Sequence, residues 1–230
     1  MSHPVRFSIP LLLIVSACSS TPKPVASVAP PPPVAVAIVP MPTGASPGMA
    51  VPAMLADGSY PTPNRNLSPA AATWHLRAAL NVAALACRGP LGDAIAARYN
   101  TAIRAHAPVL AHAESRFAEE FRAVGGDWRN RYDGEMTKLY NFFALAPVRA
   151  DFCATADRVL DEMTSVAPAA LPGFAQAHMA AIDRPFTDFY RAYDAWRNQR
   201  STATLAMAAA TSTGPRVPYL KVDPAVFRLP

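Results

Sequence analysis

Apolar residues along this chain recur mostly at spacings of three and four, the repeat that places them on one face of an α-helix. The clearest case runs from Ser68 to Pro90, where Leu76, Leu80, Ala83 and Cys87 form a stripe that Trp74, Ala78 and Leu85 widen. Ser68 is a favourable N-cap, and Pro69 takes the first helical position, where its missing N–H costs nothing. Gly89 and Pro90 supply the stop. From Leu91 to Val124 the pattern continues through Ile95, Tyr99, Ala102, His106, Leu110, Ala113, Phe117, Phe121 and Val124. It keeps its phase across Pro108, which predicts a kinked helix or two abutting ones. Gly125-Gly126 ends that run, and Asp127 caps a third segment with Trp128, Tyr132, Met136, Leu139, Tyr140 and Phe143 on one face. Gly134 is its expected point of bending or breakage.

A fourth segment, Pro147 to Val166, aligns Phe152, Ala156, Val159 and Met163, with Cys153 beside them. Ala169 to Ala181 is expected to form a short fifth helix interrupted at Pro172-Gly173. Phe186, Phe189, Tyr190, Tyr193 and Trp196 mark a sixth. No stretch alternates convincingly as a strand. The fold class is therefore all-α. Four main helices on short connections predict an up-and-down four-helix bundle-like core with extra C-terminal helices.

Composition limits where that domain lies. Prolines number 25 in 230 residues, and thirteen of them fall from Pro22 to Pro69. Between Thr21 and Asn66 only Lys23, Asp57 and Arg65 are charged. Such a stretch sustains neither a helix nor a central strand and favours extended polyproline II, so it reads as a tether reaching on the order of 100 Å. The expected organisation is a leader over 1–17, a Pro/Ala-rich tether over 18–66, a helical domain over 67–200 and a low-complexity, extended tail over 201–230. Net charge adds little. The formal +5 is spread along the chain without a lysine or arginine run, which argues against a nucleic-acid partner.

The leader is the most specific motif. Ile9 to Ala17 is apolar but too short to span a bilayer as a helix, so it reads as a targeting segment. Val15-Ser16-Ala17-Cys18 resembles the lipobox of bacterial lipoprotein signal peptides. The resemblance implies cleavage before Cys18 and acylation of that cysteine, through a diacylglycerol thioether and an N-acyl chain such as palmitate. Several acyl chains give stable anchoring where one is marginal. Ser19 follows in place of an aspartate, which by family analogy favours the outer membrane, with the domain facing the periplasm. Two cysteines then remain, Cys87 and Cys153, in an oxidising compartment, and the expected state is a disulfide. In an up-down-up-down bundle the end of the first helix and the start of the fourth share one end, which agrees with that pairing.

Further segments, T-P-N-R-N-L-S, W-H-L-R-A-A-L-N-V-A-A-L-A-C-R-G, L-Y-N-F-F-A and the later F-C, resemble exported helical proteins of proteobacteria without an established activity. That similarity spans about Pro61 to Val166 and supports a domain and its cysteine pair.

Candidate chemistry is sparse. His106 and His112 are six residues apart, on different helix faces, and neither H-x-x-x-H nor C-x-x-C-H occurs, so no metal or cofactor is expected. His106 lies on the apolar stripe and reads as a core histidine. Asn81, among apolar neighbours, reads as a packing amide. The aromatics of Phe186 to Trp196 read as core, with sugar or partner stacking as the other option. Glu114-Ser115, in H-A-E-S-R-F, resembles the opening of the catalytic motif of lytic transglycosylases and would make Glu114 a general acid/base. The glycine-rich segment that follows in that family is missing, since the next glycines lie in G-G-D-W. The function expected is a lipid-anchored periplasmic binding or scaffolding module of the cell envelope, with an envelope protein or peptidoglycan as partner. The alternative is a lytic-transglycosylase-like enzyme acting on peptidoglycan through Glu114.

Overall fold

The computed structural model describes residues 38–212. It is all-helical and bundle-like, with six α-helices, two single 3-10 turns and no strand among the described residues. The helices are α1 (Pro69–Ala86), α2 (Gly89–Ala105), α3 (Ala107–Val124), α4 (Trp128–Phe143), α5 (Arg149–Met163) and α6 (Leu171–Ser212). Helix α1 is the hub, packed against each of the other five. Its sequence explains this. Leu76, Ala78, Ala79, Leu80, Ala72 and Ala83 are almost fully buried, and small alanines let neighbouring backbones approach from several sides. The Ser68 hydroxyl accepts from the Ala71 N–H at 3.0 Å, the expected N-cap. Leu85, expected on the buried face, is 67% exposed.

The corner after α1 departs from expectation. The helix stops at Ala86, Cys87 and Arg88 are extended, and Gly89-Pro90 opens α2 instead of merely ending α1. Proline in a first helical turn is a start signal as much as a stop. Gly92 completes the corner, because a Cβ there would sit 2.6 Å from the Cys87 carbonyl oxygen. Around Pro108 the run is two abutting helices, meeting at His106, which ends α2 and precedes α3. Gly134 neither breaks nor ends α4. Val124, the expected end of the α3 stripe, is 78% exposed.

Cys87 and Cys153 are bridged, with Cα atoms 5.9 Å apart. The bond joins the end of α1 to the second turn of α5, as the topology expected. Arg98 on α2 pairs with Asp157 and Asp161 of α5 beside it. Phe142 and Phe143 of α4, Phe152 of α5 and Phe186 of α6 form an aromatic cluster, Phe142 stacking on Phe186 at 4.2 Å.

Two expectations fail in an informative way. The expected fifth and sixth helices are one, α6, 42 residues long and continuing to Ser212, so residues 201–212 are helical instead of tail. Pro172 sits in its first turn, where it costs nothing, and Leu171, Ala175, Met179, Ile182, Phe186, Phe189 and Tyr193 keep one buried helical register through Pro185. Phe186, Phe189, Tyr190 and Tyr193 are core, whereas Trp196 is only half-buried, with Arg200 over its ring at 5.1 Å. The tether also ends early. Residues 38–66 are not a free spacer but a strap lying on the helices. Tyr60 is buried and donates to Asp194 at 2.8 Å, the Tyr193 hydroxyl donates to the Ser46 carbonyl at 3.1 Å, and the Val39 N–H donates to Gln199 at 2.7 Å. Proline forbids regular secondary structure here, yet extended backbone with well-placed polar side chains still docks. The expected tail over 213–230 lies outside the described residues.

Candidate functional site

A groove of about 530 Å³ lies between α5 and α6, lined also by Pro42 and Thr43 of the strap and by Pro147. The strap can pass this close because Gly44 adopts φ +77°, and a Cβ there would lie 3.2 Å from the Pro147 Cα. Val148, Val159 and Phe189, all largely buried, give the groove an apolar floor. Around it stand Asp151, Arg158 and Glu162 of α5 and His178, Arg184 and Asp188 of α6.

His178 is held from three directions. Its ring stacks on Phe174 at 3.9 Å, Nδ1 lies 2.8 Å from the Phe174 carbonyl, and Nε2 lies 2.7 Å from Glu162. Both nitrogens face acceptors, so both bonds form together when the ring carries two protons. That pair crosslinks α5 to α6 beside the groove. Pro185 also lines the groove, and because proline has no N–H, the Ala181 carbonyl one turn earlier lacks its usual helical donor. No motif in the sequence groups these residues. Glu162 and His178 are sixteen positions apart on different helices, and the only advance signal was the interior proline.

A second polar cluster fastens the strap. Asp183 accepts from the Thr62 hydroxyl at 2.6 Å and from the Asn64 amide. Asn64 therefore presents its oxygen to His75 of α1, 2.8 Å from Nδ1, which fixes the proton on that nitrogen. Burial pushes the His75 imidazole down to about 4, partly opposed by Glu135, and His75 meets Phe117 edge-on at 5.2 Å. Burial pushes the Asp183 carboxyl up, against the two hydrogen bonds that favour its charge. The buried Asp183–Asn64–His75 chain joins α6, the strap and α1 and is structural.

The residues expected from sequence fall elsewhere. Glu114 is exposed on α3 and lines a shallower groove of about 410 Å³ with Ser115, Trp128, Tyr132 and Asp133. Arg122 and Arg129 lie over the Trp128 ring at 4.6 and 4.9 Å, occupying its stacking surface. His106 is buried at the α2–α3 break, its Nδ1 without a partner among the described residues, and burial holds it below its ordinary range. Asn81 is half-buried. Cys87 and Cys153 are spent in the disulfide, and Cys18 lies outside the described residues. Among the described residues no group of three or more His, Cys, Asp or Glu is placed to hold a metal, and no helix is long and apolar enough to cross a membrane. No protein-family model, curated protein or solved structure matches this chain.

Proposed function

We propose that the protein is a lipid-anchored binding module of the bacterial cell envelope, held at the outer membrane through Cys18 and facing the periplasm, with the α5–α6 groove as its ligand site. The observation that carries the reading is the groove itself. It has an apolar floor, a rim of charged groups on two different helices, and a frame stiffened by the Glu162–His178 bond. Mostly apolar concavities with a few convergent polar groups are the usual form of small-ligand sites. The Cys87–Cys153 bridge supports export, since such bonds persist in oxidising compartments.

Two measurements test it. Cys18→Ser should abolish palmitate labelling and release the protein from the outer-membrane fraction; normal fractionation refutes the anchor. A photo-crosslinking residue at Ala192, in the groove, should capture a species in intact cells that the same residue at Asn100, on α2, does not. Equal capture from both positions refutes the groove as the site.

One feature favours the alternative, an enzyme cleaving peptidoglycan strands through Glu114: that glutamate shares its groove with a second carboxylate, Asp133, and with Tyr132. Release of glycan fragments by the purified protein, lost in Glu114→Gln, would support it over the binding reading.

A further inference from the structure

We infer that the α5–α6 groove binds a small organic anion, a carboxylate or phosphate carried on an apolar body, with Arg158 and Arg184 making the charged contacts. This rests on the reading of the groove as the ligand site. The acidic groups around the groove are already satisfied. Glu162 is engaged by His178 at 2.7 Å and Asp188 by Arg191 at 2.8 Å. Asp151 lies in the first turn of α5, where unpaired backbone N–H groups and the helix dipole favour negative charge.

The two arginines have no such partners. Among the described residues Arg158 reaches only the Thr155 hydroxyl, at 3.3 Å. The Arg184 guanidinium makes no hydrogen bond or ion pair among the described residues. One stands on each wall of the groove, over the floor of Val148, Val159 and Phe189. A planar guanidinium matches the oxygen geometry of carboxylate and phosphate and binds either more strongly than a neutral group. The contrast with the Glu114 groove is direct, since its arginines are already laid over Trp128. The volume suits a ligand of small-molecule size.

The test uses the full-length protein and three probes of one shape: 4-phenylbutyrate, 4-phenylbutyl phosphate and the neutral 4-phenylbutanol. Calorimetry gives affinity, and backbone amide shifts around Val159 and Ala181 locate the site. At least one anion should bind there about tenfold or more tighter than the alcohol, the effect expected of a charge-assisted hydrogen bond. Arg158→Ala and Arg184→Ala should each weaken it by about tenfold, whereas Arg104→Ala, exposed on α2, should leave it unchanged. Which anion binds better identifies the chemical source of the group. Equal binding of the alcohol, or normal binding by the arginine variants, overturns the anion inference and leaves the groove a ligand site. No binding of any probe at millimolar concentration overturns both.

Discussion

Removing the Cys87–Cys153 bridge has a consequence whose size follows from its position. The two residues are 66 apart in sequence, and α2, α3 and α4 lie in the loop they close. Closing a loop of that length removes chain entropy from the unfolded state worth about 4 kcal/mol at 25 °C. For a domain of this size each kcal/mol moves the melting temperature by about 2–4 °C, so losing the bridge should lower it by roughly 10 °C. The variant of choice is Cys87→Ala with Cys153→Ala, because a single serine would also bury a hydroxyl where both cysteines are 5% exposed. The helices in the loop pack on α1 and α5 independently of the bond, so circular dichroism of the variant should remain helical at 25 °C. Urea unfolding should show a lower midpoint and a steeper denaturant slope, since the uncrosslinked chain exposes more surface. Reduction of the native protein should reproduce the variant, slowly, because the sulfurs are buried. Coincident melts for the oxidised, reduced and double-alanine proteins would refute the reasoning.

Four further perturbations probe the rest of the frame. Asp183→Ala strands the donors of Thr62 and Asn64 and should cost about 2–3 kcal/mol, less whatever is recovered from no longer burying the carboxylate; tryptic cleavage after Arg65 should accelerate with it, and an unchanged cleavage rate would count against the strap contact. Because the folded His75 imidazole titrates at about 4 against an ordinary 6.5, its contribution is complete above pH 6.5 and falls as pH drops toward 4, by about 3 kcal/mol. His75→Gln should flatten that slope in urea midpoints measured across pH, while Asp183, raised in the folded state, bends the profile the opposite way above its ordinary 3.8, where the folded chain keeps a proton that the unfolded chain has lost. Phe186→Ala should cost about 3–5 kcal/mol, read from urea melts, because Phe186 is fully buried in the aromatic cluster. Leu85→Ala, at 67% exposure, should shift stability by under about 0.5 kcal/mol.

How far the sequence could be read depended on whether a contact leaves a period behind. Helix α1 announced itself through its cap and stripe, and the bridge followed from two leftover cysteines at helix ends. The strap left no such trace. Its specificity rests on Tyr60, Thr62 and Asn64 meeting Asp194 and Asp183, partners well over a hundred positions away, and no repeat encodes that meeting. Prolines exclude helix and central strand from this stretch without excluding packing. Pro172-Gly173 and Pro185 carry the local signals of a break, yet the buried register from Leu171 to Tyr193 runs through both positions in one helix. The groove was out of reach for the same reason as the strap, since Glu162 and His178 meet only once α5 and α6 are folded side by side.

The docked strap also bears on the mechanics of the proposed anchoring. Were residues 19–66 all slack, an acylated Cys18 would hold the domain on a long lead. With docking from Ile38 onward, chain length alone bounds the distance between Cys18 and the domain, since the 19 residues between Cys18 and Ile38 reach at most about 70 Å. The described domain also has a fixed point at which that stretch joins it. Val39 is bound to Gln199, so the chain leaves the domain beside the far part of α6. Tension on an acylated Cys18 would pull there, turning that end of α6 toward the bilayer. The altitude and tilt of the domain above the membrane would then be set by one short run of chain and one hydrogen-bonded corner.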